Sequence, residues 1–433
     1  MKKTFIVASA LAISLSANAQ SSTNSPYSQY GLGTLAERSA GFNRGMNGIG
    51  LGFHDHNQVN TLNPASYASL DSLSFIFDMG LSGQLTNFKE GTTKINAQNA
   101  GFEYVVAGLR LAKHLGASFG LLPFTNVGYN YTTSGKVGGA VASTYTNTYF
   151  GEGGLHELYG GLGWEPFKGV AFGVNLGYLW GSINRSITNT YSASESSINT
   201  LARQYAAEVR SYKADFGVQF TSRLSKKDAV TLGLTYSLGH KIGGNPSCLI
   251  ITNNKLTSVS DTVSFGSNGM KLEIPAMMGA GLMWNHHNKL KLGVDYSLQK
   301  WGKIKFPMLT GSDANTNYSL QDNQFSDRHK VTFGGEYCPA ETNRDFFKAI
   351  HYRAGISYST PYLKINGADG PKELGASVGF GIPIVNKYNN RSILNISAQW
   401  VNVNAKNLIN ENTFRINVGL TFNERWFAKW KVQ

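Results

Sequence analysis

Apolar and polar residues alternate along much of this chain. The clearest runs lie at 72–86, 289–299 and 413–423, where nearly every second residue is aliphatic or aromatic and most of the others are polar or Gly. Side chains of a β-strand point to opposite faces in turn, so each run predicts a strand with one apolar and one polar face. Each run is about ten residues or longer, as tilted membrane-spanning strands are.

We predict about 14 such strands, joined by connections that alternate in length. The predicted strands are 72–88, 98–112, 115–133, 152–164, 169–184, 208–222, 229–240, 262–284, 289–301, 326–338, 348–360, 373–385, 391–401 and 411–423. Connections after even-numbered strands are short, whereas most others are longer, such as the mainly polar loops 185–207 and 241–261. Short turns at one end and long loops at the other are typical of an outer-membrane barrel with its turns in the periplasm. The predicted fold class is therefore all-β, a transmembrane antiparallel β-barrel spanning 72–423.

Tryptophan positions agree with this topology. Trp180, Trp301 and Trp400 fall near the predicted outer ends of strands, and Trp164 and Trp284 near the predicted periplasmic ends. Trp and Tyr collect at both surfaces of a membrane, so these residues are expected to face the two interfaces.

The N-terminus has the features of a secretory signal peptide. Lys2 and Lys3 precede a short apolar run, and Ala17 and Ala19 supply small residues two positions apart. We therefore expect residues 1–19 to be removed by cleavage near Ala19. The apolar run is too short to span a bilayer, and the next residue is Gln20 rather than a Cys that could carry lipid, so the mature chain is not expected to stay in the inner membrane. With the barrel pattern, this predicts the outer membrane of a Gram-negative cell.

Composition excludes several other classes. Hydrophobic residues make up 41% of the chain and charged residues 15%, which does not suit a disordered protein. The formal charge is +13, but the basic residues are scattered, so no nucleic-acid partner is expected. Cys248 and Cys338 fall at opposite ends of the predicted barrel, which argues against a disulfide between them.

Residues outside the strand region form two further predicted segments. A barrel of about 14 strands encloses more space than its own side chains fill. Residues 20–71 are rich in Gly, Asn and Ser and lack alternation, so we predict a plug, or hatch, in the lumen; a disordered periplasmic tail is the alternative. Residues 424–433 are predicted to form a periplasmic C-terminal tail.

Three sequence motifs resemble a known family. They are Tyr30-Gly31-Leu32-Gly33, the Gly-rich stretch 45–50, and Asn63-Pro64-Ala65 just before the first strand. Together they resemble the start of the FadL/TodX family of outer-membrane transporters for long-chain fatty acids and other hydrophobic compounds. The resemblance implies that Asn63, Pro64 and Ala65 anchor a hatch that shifts to let ligand pass.

The third strand adds to the resemblance. It contains Gly120, Leu122, Pro123 and Phe124, and Pro123 has no N–H to donate to a neighbouring strand. In the family a kinked third strand leaves a gap through which ligand leaves sideways into the membrane. The resemblance therefore implies a lateral opening at these four residues.

Three basic residues are candidates for contact with a ligand. Lys289, Lys291 and Arg415 are predicted to face the lumen, where a cation can bind a carboxylate head group. The alternative is that they belong to the ordinary polar wall of a barrel. The expected partners are a hydrophobic small molecule and outer-membrane lipid.

A second function stays open at this point. Barrels of this layout also serve type IX protein secretion, so the chain can instead be a scaffold that holds secretion-machinery or cargo proteins. The polar loops favour the scaffold, whereas a transporter needs a continuous apolar path from the loops to the kink.

No enzymatic chemistry is predicted. His54-Asp55-His56 offers too few ligands for a closed metal site, and Gly48-Ile49-Gly50-Leu51-Gly52 lacks the lysine of a phosphate-binding loop. No Ser/His/Asp arrangement with a familiar spacing is present. We therefore expect no catalytic residues, no cofactor and no metal.

Overall fold

A computed structural model describes most of the chain. The described residues are 23–72, 74–136, 144–192, 199–254, 257, 259–311, 316–340, 345–385 and 391–424. The predicted signal peptide lies outside the described residues, as does all of the predicted C-terminal tail except residue 424.

Fourteen antiparallel strands close into a barrel. They are β1 (Phe75–Glu90), β2 (Thr93–Ala112), β3 (Leu115–Lys136), β4 (Thr144–Phe167), β5 (Val170–Tyr191), β6 (Asn199–Arg223), β7 (Asp228–Ser237), β8 (Met277–His286), β9 (Leu290–Gln299), β10 (Arg328–Tyr337), β11 (His351–Ser359), β12 (Lys372–Val385), β13 (Arg391–Asn404) and β14 (Asn410–Glu424). Each strand pairs with the next, and β14 closes the ring on β1, with Phe422 opposite Phe77. The predicted all-β fold and strand number are confirmed.

Smaller elements extend the barrel at its loop end. Strand His240–Asn254 continues β7 and pairs with the outer half of β6, and Ser260–Phe265 and Leu272–Ile274 pair with it before β8 begins. Two short hairpins, Phe306–Thr310 with Asn317–Gln321 and Lys364–Ile365 with Ala368–Asp369, lie in the loops after β9 and β11.

The helices are short. They are the α-helices Gly41–Arg44 and Phe346–Ala349 and the 3-10 helices Pro26–Gln29, Pro64–Ser69 and Trp301–Lys303. Among the described residues, no helix has the length and apolar character needed to cross a membrane.

The two faces of the strands differ as the alternation predicts. Outward side chains are apolar and exposed, for example Leu81, Leu162, Phe216, Phe333 and Ile416. Inward residues are mainly small, polar or charged and are buried. An apolar outer surface of this kind is stable against lipid and not against water, so the structure fits a membrane-spanning barrel.

Two predicted loops are largely strand. The predicted loop 185–207 is mostly paired backbone, since β5 continues to Tyr191, β6 begins at Asn199, and Arg185 is opposite Tyr205. The predicted loop 241–261 contains the strand His240–Asn254. These segments carry many Thr, Tyr and Ile residues, which favour strands. They lack the alternation because they extend beyond the membrane, where no lipid requires one face of the strand to be apolar.

Tryptophan and cysteine complete the comparison with the sequence. The expectation that Trp301 faces the outer membrane surface is wrong: it is buried in a 3-10 helix among loop residues, and its Nε1 donates to Gln299 at 2.8 Å. Trp164, Trp284 and Trp400 are exposed. Cys248 and Cys338 are both buried, and neither forms a disulfide within the part of the chain that the structure describes.

Residues 23–71 lie in the lumen, and we call them the lumenal segment. Its side chains contact strands on several sides of the ring: Arg44 pairs with Glu103 on β2 at 3.1 Å, Arg38 with Glu157 on β4 at 2.8 Å, Asp55 with Lys291 on β9 at 2.9 Å, and Asn47 donates to Ser357 on β11 at 2.6 Å. These contacts reach strands on several sides of the ring; that the segment is a plug, or hatch, stays a prediction.

Glycines in the wall allow the lumenal segment to approach closely. A Cβ added at Gly173 on β5 would lie 2.2 Å from the carbonyl carbon of Pro64, and one at Gly217 on β6 would lie 2.1 Å from Oδ1 of Asn63. A side chain at Gly173 would force the backbone of the lumenal segment to move, and one at Gly217 would displace the Asn63 side chain.

We expect the variant Gly173→Ala to destabilise the barrel by about 1–3 kcal/mol, because the new methyl group overpacks against the Pro64 backbone. The measurement is the temperature at which the barrel, heated before electrophoresis, changes from the gel mobility of the folded protein to that of the unfolded chain. Gly160→Ala is the matched control, because a Cβ at Gly160 would meet nothing within 4 Å. Equal unfolding temperatures for the two variants would show that the contact with Pro64 is not tight.

Candidate ligand path in the outer lumen

The wall of the barrel has a break between β2 and β3. The two strands pair from Ala112 opposite Leu115 up to Val105 opposite Leu121. Above that point β2 stays paired with β1 and β3 stays paired with β4. Residues 93–104 and 122–136 therefore belong to neighbouring strands that are not paired with each other, and we call this break the seam.

The predicted kink residues lie where the seam begins. A Cβ at Gly120 would sit 2.3 Å from the Val105 carbonyl oxygen, so the strands are close just below the break. Pro123 is opposite His156 and the next pair is Thr125 with Leu155, so Phe124 forms a bulge. Leu122 and Phe124 are buried. The structure thus brings the four residues together at the seam, while a lateral exit there stays a prediction.

The lumenal segment covers the inside of the seam. Thr34 and Leu35 form a short strand that pairs with Asn126 and Thr125 of β3, and Ala36 N–H donates to the Phe124 carbonyl at 3.0 Å. Further out, the Gly128 N–H donates to Ser28 Oγ at 3.1 Å. On the opposite side, Asn24 Nδ2 donates to the Gln98 carbonyl of β2 at 3.2 Å.

An apolar cluster connects the loops with the seam, and we call it the outer cluster. Its loop members are Trp301, Ile304, Phe325 and Leu363; its wall members are Phe124, Val127, Tyr129, Leu155, Leu179, Ile183, Val209, Ile242, Leu272 and Ile274; and Leu32 joins it from the lumenal segment. Side chains of the cluster therefore run without interruption from loop to kink. In this structure Leu32 is part of the outer cluster and Tyr30 packs against it.

Arg185 lies beside the outer cluster without a carboxylate partner. Its Nη2 donates to the Gly31 carbonyl at 2.6 Å and to the Ser28 carbonyl at 3.4 Å, while its Nε has no hydrogen-bond partner. Among the described residues it forms no ion pair, and its electrostatic neighbours are Tyr129, Tyr318 and Tyr362. The sequence placed Arg185 in a loop, so the inward position of this cation was missed.

The three predicted head-group residues lie in different places. Lys289 is exposed in the turn between β8 and β9, so its predicted lumenal position is wrong: the strand begins one residue later. Lys291 is inside the barrel but pairs with Asp55 at 2.9 Å and Glu336 at 3.0 Å. Arg415 donates to Gln84 at 2.8 Å and borders a cavity.

The lining of this cavity mixes many polar and ionisable residues with a few apolar ones. It measures about 240 Å³ and is lined by ionisable residues, including Glu37, Glu411, Arg328, Lys330 and Arg415. A hydrophobic solute gains little by entering such a space, so the outer cluster is the better candidate for a hydrophobic path.

The Asn-Pro-Ala motif forms a fixed turn at the base of the lumenal segment. Asn63 caps the 3-10 helix Pro64–Ser69, with its Oδ1 accepting from Ala65 N–H at 3.1 Å. Its Nδ2 donates to the Leu51 carbonyl at 2.8 Å. All three motif residues are buried, which suits an anchoring position.

Ion pairs hold the lower part of the lumenal segment. Arg38 contacts Glu157 at 2.8 Å and Asp215 at 3.0 Å, and Arg44 contacts Glu103 at 3.1 Å. Burial alone would raise the pKa of Asp55, but Lys291 and then His56 outweigh this effect and lower it to about 2. Asp55 is therefore a carboxylate at neutral pH and a stable partner for Lys291.

Comparison with solved structures gives the class of this barrel. The Pseudomonas putida toluene transporter TodX is 12% identical, with a TM-score of 0.62 over 91% of this chain and 100% of that one. The Ralstonia pickettii toluene transporter TbuX is 12% identical, with a TM-score of 0.59 over 89% and 98%. A Pseudomonas aeruginosa FadL homologue is also 12% identical, with a TM-score of 0.58 over 90% and 98%.

The fold is therefore that of a FadL-type outer-membrane β-barrel, and the predicted resemblance is confirmed. At the level of sequence, the chain belongs to the BamG family, whose model matches residues 1–433. No curated protein matches the chain.

We expect Asp55→Asn to loosen the lumenal segment by about 1–3 kcal/mol, because Lys291 loses one of its two carboxylate partners. Hydrogen–deuterium exchange of residues 50–60 should rise. Asp327→Asn, which breaks the exposed pair with Lys300, is the control and should change little.

The effect of pH follows from the same pair. The pKa of Asp55 is about 2 in the fold, below its ordinary value of 3.8, so the stabilisation is complete above about 3.8 and is lost as pH falls through 2. The difference in unfolding temperature between wild type and Asp55→Asn should shrink over that range. A difference that stays constant down to pH 2 would contradict the assignment.

Proposed function

We propose that this protein is an outer-membrane channel for the passive uptake of hydrophobic small molecules, such as long-chain fatty acids. Ligand passes from the loops along the outer cluster and leaves through the seam between β2 and β3. The observation that carries the proposal is the outer cluster itself, because it joins loop residues such as Phe325 with Phe124 at the kink. An apolar lining lowers the barrier for an apolar solute, which gains nothing from a water-filled channel.

In this proposal the lumenal segment acts as a hatch, and only its outer part has to move. Residues 24–36 cover the seam and are held mainly by neutral hydrogen bonds, such as that from Tyr362 Oη to the Gly33 carbonyl at 2.7 Å. The buried ion pairs of Arg38, Arg44 and Asp55 lie after this part of the chain. Displacing residues 24–36 therefore opens the path while the lower hatch stays anchored at Asn63.

Arg185 supplies a contact for a polar head group in the same proposal. A cation out of full contact with water is costly without an anion, and within the described part of the chain Arg185 donates to backbone carbonyls alone. An anionic head group can replace the carbonyls of Ser28 and Gly31, which also frees the residues that cover the seam. Ligand binding and hatch movement are then coupled at one side chain.

The names of the structural relatives support transport over catalysis. Two are toluene transporters and one is a FadL homologue. Their identity to this chain is 12%, so they support the fold directly and the substrate class only by analogy.

A scaffold for secretion or cargo proteins is the second candidate. One observation favours it: the lumenal segment is tied by ion pairs to strands around the barrel, and many residues that line the cavity beside it are polar or ionisable. A barrel that never opens is sufficient for a scaffold. The two functions differ in whether the outer part of the hatch must move.

Locking the hatch to β3 should abolish uptake. Thr34 and Asn126 are directly paired, so Thr34→Cys with Asn126→Cys, in a Cys248→Ala and Cys338→Ala background, allows a disulfide to form there. In proteoliposomes, uptake of a fluorescent long-chain fatty acid is expected to stop on oxidation and return on reduction.

A second cysteine pair serves as the control for the lock. Thr146→Cys with Thr190→Cys joins β4 and β5, where no movement is proposed. Uptake that persists through the oxidised hatch lock would exclude this route. Absence of saturable ligand binding above an empty-micelle control would favour the scaffold instead.

Arg185→Gln should weaken binding of the anionic probe by roughly 10- to 100-fold, because a charge-assisted hydrogen bond is lost. Binding of a neutral aromatic hydrocarbon is expected to stay within about twofold. Arg210→Gln is the control, because Arg210 is exposed and pairs with Glu208. Equal loss for both probes would assign Arg185 to the structure of the hatch and not to the head group.

A further inference from the structure

Two tight turns meet at the periplasmic end of the barrel. The turn 224–227 joins β6 to β7, and the turn 287–289 joins β8 to β9. They are in contact, because the His287 N–H donates to the Lys227 carbonyl at 2.7 Å. The two turns and the last residue of β6 bring together four basic residues, Arg223, Lys226, Lys227 and Lys289, which we call the basic patch.

No described residue neutralises the charge of the basic patch. In the described part of the chain none of the four residues forms an ion pair, and all four are exposed. The nearby carboxylate, Asp228, is already engaged by His286 at 2.7 Å, by Ser225 at 2.7 Å and by Trp284 Nε1 at 3.2 Å.

The titration of His287 reflects the same positive potential. Desolvation, and then Lys227, His286 and Lys289, lower the pKa of His287. The patch therefore presents its lysine and arginine charges to the surroundings without a compensating anion.

The basic patch lies at the edge of the lipid-facing surface. Trp284 and Leu282 point outward on β8, and Leu232 does so on β7. Strand residues rise about 3.3 Å each, so Leu282 is only about 13 Å along the strand from His286, the last residue before the turn. Trp284 marks the interface, since Trp favours the head-group level of a membrane. Leu224, in the turn next to Arg223, is 68% exposed, which suits contact with acyl chains.

We propose that the basic patch binds the phosphate head group of an anionic phospholipid in the periplasmic leaflet. Lysine and arginine close to a membrane surface attract anionic lipid, and clustered basic residues recognise phosphate head groups. The lipid lies with its phosphate among Lys226, Lys227 and Lys289 and its chains beside Leu224 and Leu282. Phospholipid is the occupant favoured over an acidic protein because the turns that carry the cations end strands whose outward residues, Leu232 and Leu282, face lipid.

Native mass spectrometry of the full mature barrel, released from neutral detergent, tests this proposal. The probes are cardiolipin and phosphatidylglycerol, with phosphatidylcholine as the uncharged reference. Wild type is expected to retain the anionic lipids preferentially. The triple variant Lys226→Gln, Lys227→Gln, Lys289→Gln should bind the anionic lipids roughly 10- to 100-fold more weakly, because it loses three charges that attract them. Each tenfold loss in affinity corresponds to about 1.4 kcal/mol of binding free energy.

The matched control removes the same charge elsewhere. Lys94→Gln, Lys136→Gln, Lys271→Gln changes three exposed lysines on the loop side and should leave binding intact. Replacing the three patch lysines by Arg should also preserve binding, because the charge is kept. Equal losses of lipid binding in the two Gln variants would overturn the proposal. Equal retention of phosphatidylcholine and cardiolipin by wild type would also overturn it, and would favour an acidic protein as the partner of the patch.

A second measurement needs no variant. A photoactivatable phosphatidylglycerol in vesicles with the wild-type barrel should form adducts within residues 223–227 and 286–289. Adducts confined to other regions would contradict the proposal even if the Gln variant failed to fold.

Discussion

The structure depends on satisfying the backbone of an irregular segment inside a barrel. The lumenal segment has little secondary structure, so its N–H and C=O groups need partners from elsewhere. The wall supplies them: Asp295 accepts from the N–H groups of Gly50 and Leu51, and Gln219 donates to the carbonyls of Leu51 and Phe53. This requirement explains why inward positions carry Asp, Asn, Gln and Arg, and why the wall has glycine where the segment comes closest.

The same requirement divides the lumen into two regions. Below, charged and amide side chains hold the segment through many specific bonds. Above, the outer cluster packs Leu32 and Tyr30 by apolar contact, which is less directional and can accept another apolar occupant. The lower part of the lumenal segment is thus held firmly because polar residues face inward there. Its upper part can be exchanged for another apolar occupant because apolar residues face inward there.

The sequence predicted the membrane strands well because lipid selects one face of each. That selection disappears outside the membrane, where β5, β6 and the strand His240–Asn254 continue without alternation. The sequence pattern therefore predicts loops in these segments, although their backbones are paired. Arg185 was missed for this reason. Lys289 was misplaced because the period of two does not tell where a strand begins, and one residue decides between lumen and turn.

Other parts of the site depend on tertiary contacts that no local pattern contains. The motif Asn63-Pro64-Ala65 could be located from its neighbours in sequence, and the break at Gly120 to Phe124 from its proline. The partners of Lys291, and the burial of Trp301 among loop residues, require knowledge of which strands and loops become neighbours. Both cations and tryptophans have more than one stable environment in a barrel, so residue type alone does not choose between them.

Chain order gives the lumenal segment a particular consequence for assembly. It is the first part of the described chain, yet Ser25 bonds to Glu411 and Asn57 to Asn423, both on the last strand. These contacts span almost the whole sequence, and such long-range contacts slow folding. The segment cannot make these final bonds until β14 is in place, because Glu411 and Asn423 supply them. The beginning of the chain is therefore among the last parts of the protein to complete its contacts.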